Sequence, residues 1–164
     1  MKNRFRTFAI VIVASVIAWI SQPMFTLAAE ILAAPINGFV TVSVKERDGT
    51  LLQMRYIDIS TGNGEPARKG YTVVVHYTGW LQNDDGSQGR KFDSSRDRGE
   101  PVTFVLGQQQ AIIGWDEGVP GMKIGGVRRL VIPSAMAYGP RKFHNNLIPP
   151  NSNLIFNVEL IKIY

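Results

Sequence analysis

The chain has 164 residues, 45% hydrophobic and 19% charged, which is enough for one domain with a buried core. It contains no cysteine, which excludes disulfides, a thiol nucleophile and thiolate metal sites. Three of the net +5 charges come from Lys2, Arg4 and Arg6, and from Glu30 onward 15 basic residues face 13 acidic ones. Because this remaining excess is small and the basic residues are scattered, we predict no nucleic-acid site.

The first 29 residues have the layout of a secretory signal peptide. The basic segment Met1–Arg6 precedes the apolar run Phe8–Ile20, and the small residues of Leu27-Ala28-Ala29 favour cleavage before Glu30. Cleavage one residue earlier or near Ala34 stays open, as does an uncleaved anchor, although a membrane span needs roughly 20 residues. We expect an exported protein, periplasmic or secreted; the alternatives are a membrane-anchored or lumenal one.

After this segment we predict a short extension, residues 30–50, and then a domain, residues 51–164. Alternating apolar residues predict an extra strand over Phe39–Val44 in the extension and a second strand over Leu51–Ile59. Asp48-Gly49 between them is a typical turn sequence, so the two strands are expected to form a hairpin.

Tyr71–Trp80 has the clearest strand pattern in the chain, with Tyr77 on one of its two faces. The sheet resumes near Asp93 after a polar loop. Charges of both signs then alternate over Asp93–Gly99, a pattern typical of a solvated loop. The alternative is a buried Asp93 paired with Arg98.

The glycine-rich stretch Gly107–Gly126 contains one short helical pattern, because Ala111, Ile112, Trp115 and Val119 largely share one helical face. Its glycines are expected to limit the helix to about two turns. A helix this short is marginal alone, so the strand-like segments before and after it must hold it. Trp115 is then either a core anchor or the floor of an apolar pocket.

The rest of the chain is again strand-like. Val127–Ile132 predicts a strand, and Pro133–Gly139 a turn that contains Tyr138. Leu147-Ile148-Pro149-Pro150 is expected to form an exposed apolar tip stiffened by its prolines. Asn153–Tyr164 predicts a long final strand in which alternate residues face one way.

Taken together, these segments resemble the FKBP-type peptidyl-prolyl cis–trans isomerases. The matching motifs are VVHYTGWL (74–81), KFDSSRDRGEPVTFVLG (91–107), IIGWDEGVPGMKIGG (112–126), AYG (137–139) and IPPNSNLIFNVELI (148–161). They occur in family order with near-family spacing, and the resemblance covers roughly residues 51–164. It implies an α+β fold in which a twisted antiparallel half-barrel sheet wraps around one short helix.

By the same resemblance, an apolar cavity lies between helix and sheet and catalyses isomerisation without metal or cofactor. The implied catalytic residues are Tyr77, Phe92, Asp93, Ile112, Trp115, Tyr138 and Phe156. The implied substrate-binding residues around them are Arg98, Val102, Gln110, Ala111, Leu147 and Ile148, with Leu147 and Ile148 reaching over the rim. The implied partners are proline-containing polypeptides and macrolide inhibitors of the tacrolimus and rapamycin type.

Rotation about an Xaa–Pro bond needs no nucleophile, since its barrier of about 18–20 kcal/mol is lost amide resonance. A twisted amide has less charge separation than a planar one, so a dry aromatic cleft favours the transition state. We expect the N–H of Ile112 and the hydroxyl of Tyr138 to bind substrate carbonyls, and Asp93 to direct its electric field at the amide. The structural alternatives are a loop ion pair for Asp93 and a turn cap for Tyr138.

The chain departs from the family pattern around the rim of the expected cavity. Val102 stands where many members have Phe, and Gln110-Ala111 stands where Glu-Val is familiar. The loop at 82–90 and the segment 139–148 are longer than in the minimal domain. These changes bear on macrolide affinity and substrate preference more than on activity.

Other functions fit the sequence less well. His76 and His144 are the only histidines, they lie far apart, and no further metal ligands accompany them. A Ser-His-Asp hydrolase would show a GxSxG elbow, which is missing. The main rival is a non-catalytic chaperone or partner-binding module of the same fold, which could dispense with several of the cavity residues. With no heptad stretch, a monomer is expected.

Overall fold

The computed structural model describes residues 38–144 and 146–164. The predicted signal peptide and residues 30–37 of the predicted extension lie outside this range. Within it, no helix has the length and apolar character that a membrane crossing requires. The elements are β1 (Val40–Lys45), β2 (Leu51–Ser60), β3 (Asn63–Pro66), β4 (Thr72–Gln82), β5 (Gln88–Ser94), α1 (Ser95–Arg98), β6 (Val102–Val105), α2 (Ile113–Gly118), β7 (Lys123–Ile124), β8 (Val127–Ile132), a 3-10 turn (Ser134–Met136) and β9 (Leu154–Ile163).

One antiparallel sheet dominates the fold. Its strands follow the order β1-β2-β8-β9-β4-β5, and β6 pairs with the first part of β4. A separate two-stranded ribbon joins β3 to β7. Since α2 lies against this sheet, the architecture agrees with the predicted α+β class.

The alternation of β8 and β9 explains where the core lies. Leu154, Phe156, Val158 and Leu160 share the buried face of β9, as predicted, and each is at most 2% exposed. Burial of such side chains stabilises the fold by roughly 1.5–3 kcal/mol each. The neighbouring Ile155 is 3% exposed, so β9 is partly covered on both faces.

The helix α2 is shorter than its pattern predicts and begins two residues later. Ile112 has φ −64° and ψ 151°, so it is the extended residue before the helix rather than part of it. A Cβ on Gly114 would lie 2.5 Å from Ile132, and one on Gly118 would lie 2.8 Å from Leu130. These two glycines therefore bring the helix backbone against β8, in addition to limiting its length.

The segment after Asp93 is also more ordered than predicted. Ser95–Arg98 forms one helical turn, α1, where the charge pattern predicts a loop. Ser94 caps its first turn, accepting the N–H of Arg96, and Gly99 ends it with φ 72°. Ser, Thr, Asp and Asn are preferred N-caps, and glycine is preferred where a helix ends in the left-handed conformation.

The predicted hairpin is present at the start of the described chain. β1 pairs with the first six residues of β2, from Leu51 to Tyr56. Gly49 has φ 90° in the connecting turn, a conformation that favours glycine, and Asp48 Oδ1 accepts the N–H of Thr50 at 2.8 Å.

Arg128 is buried between β8, β2 and the end of α2, with 4% of its surface exposed. It donates to both carboxylate oxygens of Asp58, at 2.6 and 3.1 Å, and to the carbonyls of Gly118 and Pro120, at 2.8 and 3.1 Å. Its guanidinium also lies 3.9 Å from the ring centroid of Tyr56. One side chain thus satisfies the C-terminal end of α2 and fixes it to the sheet.

Removal of this side chain should therefore destabilise the protein strongly. We expect Arg128→Ala to lower the free energy of unfolding by about 2–4 kcal/mol, because it leaves buried carbonyls and one carboxylate without donors. Arg129→Ala, next along β8, is the matched control and should cost about 1 kcal/mol or less, since Arg129 is only half-buried and its partners are side-chain oxygens of Asn157 and Gln88 rather than a buried carbonyl. Urea unfolding measures both, and equal losses would contradict this assignment.

Candidate functional site

A cavity of about 180 Å³ opens between α2, β4, β5 and β9. It is lined by Tyr77, Phe92, Asp93, Val102, Gln110, Ala111, Ile112, Trp115, Tyr138 and Phe156. Every one of these residues was expected around the cavity from the family resemblance. Arg98, Leu147 and Ile148 are the expected residues that do not line it.

The walls of the cavity are aromatic rings packed edge to face. Trp115 lies 5.0 Å from Tyr77 and 5.3 Å from Phe156 between ring centroids, at interplanar angles of 73° and 84°. Phe92 meets Phe156 at 5.6 Å and 87°. T-shaped pairs of this kind are favoured by the ring quadrupoles and hold the side chains in fixed positions.

A glycine on β4 makes this arrangement possible. A Cβ on Gly79 would lie 2.6 Å from Phe92 and 2.7 Å from Phe156. Any larger residue would push both rings out of place. The glycine of the YTG motif is therefore a packing requirement of the cavity wall.

Trp115 is both a core residue and a cavity residue, which unites the two interpretations that the sequence leaves open. It is 6% exposed, with Phe104 5.6 Å away between ring centroids, and it also lines the cavity. Its Nε1 is buried without a hydrogen-bond acceptor among the described residues. The indole therefore contributes an apolar surface to the cavity.

Asp93 lies at the cavity edge and is held by two neighbours. Tyr77 Oη donates to one of its carboxylate oxygens, and Arg98 Nη1 donates to the other. Arg98 also donates to Tyr77 Oη at 3.1 Å, and its guanidinium lies 5.9 Å from the Tyr77 ring centroid. The predicted Asp93–Arg98 ion pair is thus observed, but Asp93 is half-buried rather than buried.

These contacts act on the ionisation of the site. Burial acts to raise the pKa of Asp93, but the hydrogen bonds from Tyr77 and Arg98 outweigh it, so the pKa is lowered below its ordinary value. Burial and the hydrogen bond to Asp93 raise the pKa of Tyr77, and burial raises the pKa of Tyr138 to about 12. Near neutral pH the cavity therefore holds one carboxylate and two neutral phenols.

The α1 turn positions Tyr77, a role that the sequence analysis missed. Ser95 is fully buried, and its Oγ accepts the backbone N–H of Tyr77 at 2.8 Å. The same Oγ lies 3.0 Å from Nδ1 of His76, so this histidine is hydrogen-bonded within the fold. A serine N-cap and a glycine four residues after Ser95 were the available signal.

Asp116 fixes the loop that leads into α2. Its carboxylate is buried and accepts the backbone N–H groups of Gly107 and Gln109, at 2.8 and 2.9 Å. Gln109 has φ 56°, a sparsely populated conformation for a residue with a side chain, so the loop needs such support. This structural role of Asp116 comes from contacts that the sequence pattern does not show.

Two polar groups of the cavity keep their hydrogen-bonding capacity. Within the described chain, the N–H of Ile112 has no acceptor, although its carbonyl accepts the N–H groups of Trp115 and Asp116. The hydroxyl of Tyr138 likewise has no partner among the described residues. A ligand carbonyl in the cavity could accept a hydrogen bond from either group.

The expected apolar tip is only partly exposed, and Ile148 is a correction. Ile148 is 1% exposed and its side chain packs in the hydrophobic core, while its N–H and carbonyl pair with the backbone of Phe143. It does not reach over the rim. Leu147 is 37% exposed but lies outside the cavity lining, and its carbonyl accepts from Arg90 at 2.6 Å.

Comparisons with known proteins show what this chain is similar to. The family model for the FKBP-type peptidyl-prolyl cis-trans isomerase matches residues 63–161. The chain is 54% identical over 107 residues to the FK506-binding protein of Neisseria meningitidis serogroup A, covering 65% of this chain and 93% of that relative. It is 51% identical over 106 residues to a peptidyl-prolyl cis-trans isomerase of Schizosaccharomyces pombe, covering 64% and 89%. Its fold is similar to that of FkpA from Escherichia coli, with TM-score 0.58 and 38% identity over 79% of this chain and 53% of FkpA.

The Asp93 contacts predict how stability depends on pH. Because the folded-state pKa of Asp93 is lowered, its contribution is present above the ordinary carboxyl pKa and is lost as the pH falls through the folded value. Between about pH 6 and about pH 3, Asp93→Asn should therefore lose less stability than the parent. Urea unfolding at each pH tests this, with the exposed Asp84→Asn as control; an acid dependence unchanged in Asp93→Asn would refute it.

Proposed function

This chain belongs to the FKBP-type peptidyl-prolyl cis–trans isomerases, and we propose that it catalyses rotation about Xaa–Pro bonds in the aromatic cavity beside α2. The observation that supports this proposal most directly is that one cavity combines aromatic walls with two hydrogen-bond donors that lack acceptors. Trp115 forms its apolar floor, and the N–H of Ile112 and the hydroxyl of Tyr138 are the donors.

The cavity would bind the proline ring and exclude water from the bond that rotates. Trp115, Phe156 and Phe92 supply apolar surface already fixed by their mutual packing. A planar amide is the more charge-separated form, so transfer into this site disfavours it relative to the twisted one. Catalysis then follows from binding the transition state more tightly than the ground state.

The two donors would orient the substrate around the rotating bond. A carbonyl on the substrate can accept from Ile112, and another can accept from Tyr138. Because both groups belong to a fixed backbone or a packed ring, little entropy is lost when they bind. Hydrogen bonds are also stronger in a cavity of low dielectric than in water.

Asp93 would act through its charge rather than by proton transfer. Its lowered pKa keeps it ionised near neutral pH, and Tyr77 and Arg98 hold the carboxylate in one orientation. Its field can then favour one charge distribution of the twisting amide. Tyr77 serves mainly to position this carboxylate and to form part of the wall.

The cavity rim would set which ligands fit. Val102, Gln110 and Ala111 line the opening, where the valine and alanine are smaller than the residues familiar in the family. Gln110 is held in place because its Oε1 accepts the N–H of Val105 at 2.9 Å. We propose this cavity as the site for macrolides of the tacrolimus and rapamycin type, with affinity set by this wider rim.

The activity can be tested by removing single polar atoms from the cavity. Tyr138→Phe should lower kcat/KM for a short Xaa–Pro peptide about fivefold, since it deletes one substrate hydrogen bond. Asp93→Asn should lower it about tenfold by removing the oriented charge. Isomerisation is measured as the decay of an enriched cis population to its equilibrium value after the peptide is transferred from an organic solvent into water.

Tyr164→Phe is the matched control, because this tyrosine is 68% exposed and its hydroxyl lies outside the cavity. Its kcat/KM should equal that of the parent, and circular dichroism checks that each variant is folded. A folded parent that leaves the slow exchange unchanged would refute catalysis. The cavity would then be a docking site for a partner.

We also propose that the chain acts on exported proteins. The support is the basic, apolar and small-residue order of Met1–Ala29, which is typical of a secretory signal. The N-terminal sequence of the protein recovered from cells tests this: a start at or near Glu30 is expected. A protein recovered with Met1 intact would exclude cleavage, and its fractionation with membranes would indicate an anchor.

A further inference from the structure

A groove of about 510 Å³ adjoins the cavity. One wall is the segment Gln110–Ile113 at the start of α2, and the other is formed by residues 137–138 and 141–143. Ile112 and Tyr138 belong to both the groove and the cavity. A polypeptide whose carbonyls bind these two residues would therefore continue directly into the groove.

The apolar part of the groove is fixed although it is exposed. Phe143 is 47% exposed, yet its ring stacks on Tyr138 with centroids 4.0 Å apart and an interplanar angle of 11°. Its backbone pairs in both directions with Ile148, at 3.2 Å each, and Ile148 is anchored in the core. Ile113, 38% exposed, offers a second apolar surface on the opposite wall.

The charge of the groove is positive. Arg141 and Lys142 line it side by side, and among the described lining residues there is no acidic side chain. Within the described part of the chain neither cation forms an ion pair. By contrast, Arg98 is matched by Asp93 and Lys91 by Asp97.

We propose that this groove binds the polypeptide next to the proline and selects a segment carrying a glutamate or aspartate there. The proposal rests on the proposed function, because the cavity supplies the proline anchor. An apolar side chain of the same segment would contact Phe143 and Ile113, and a carboxylate would face Arg141 and Lys142. Exposed ion pairs are weak and screened by salt, so the result is a kinetic preference rather than tight binding.

Blocked peptides that differ at one residue test this preference. Glu, Gln or Lys is placed in turn at each of the two positions on either side of the Xaa–Pro pair, and kcat/KM is measured. At one or more positions we expect the order Glu, Gln, Lys, with about a tenfold ratio of Glu to Lys at about 20 mM salt. At about 0.5 M salt the ratio should fall to about two or less.

Charge-removing variants assign the preference to the groove. In the double variant R141Q/K142Q the ratio of Glu to Lys should fall to about one at low salt, whatever the absolute activity. The double variant K45Q/R47Q removes the same net charge from the exposed β1–β2 hairpin and should retain the ratio. A ratio near one in the parent, or one retained in R141Q/K142Q, would overturn the proposal.

A binding measurement separates failure of this proposal from failure of the isomerase assignment. If no peptide is accelerated, the proposed function is wrong. Fluorescence anisotropy of the labelled peptides then measures whether the groove still prefers an acidic segment. Tighter binding of the Glu peptide than of the Lys peptide, lost in R141Q/K142Q, would support it. Equal binding of the two peptides would overturn it.

Discussion

The packing of Trp115 against the sheet connects the stability of this protein to its site. A six-residue helix cannot persist alone, so α2 depends on its tertiary contacts. Gly114 and Gly118 bring its backbone onto β8, and Arg128 donates to the carbonyl of its last residue, Gly118. The same packing places the indole ring where it forms part of the core and the floor of the cavity. Changes that loosen the helix will therefore also change the shape of the site.

The polar groups around the cavity fall into two sets. Asp116, Ser95 and Arg98 are engaged by backbone or side-chain partners, and they hold the loop, the strand and the carboxylate in place. Ile112 and Tyr138 keep a free donor within the described chain. The first set forms its hydrogen bonds within the fold, so these buried polar groups are not left unsatisfied. The second set has donors from which the backbone carbonyls of a substrate can accept hydrogen bonds.

Periodicity was sufficient for the strands of the main sheet and for a short helix around Trp115, and the family resemblance for the residues that line the cavity. The β3–β7 ribbon was not predicted. It was insufficient where a residue's role depends on distant contacts. The burial of Ile148, the capping of the 107–109 loop by Asp116 and the stacking of Phe143 on Tyr138 all bring separate segments together. The α1 turn is different, because the sequence contains its serine cap and terminal glycine. The alternating charges of the same segment instead favoured the prediction of a solvated loop.

The β1–β2 hairpin lies before the span matched by the family model, and it changes the boundary of the sheet. Without β1, the ten-residue strand β2 would be the edge of the sheet and would leave its backbone unpaired there. With it, that side is a six-residue strand in which Thr41, Ser43 and Lys45 alternate with valines. Short strands with polar and charged residues resist edge-to-edge pairing. β1 therefore makes this edge of the sheet a poor template for another extended chain.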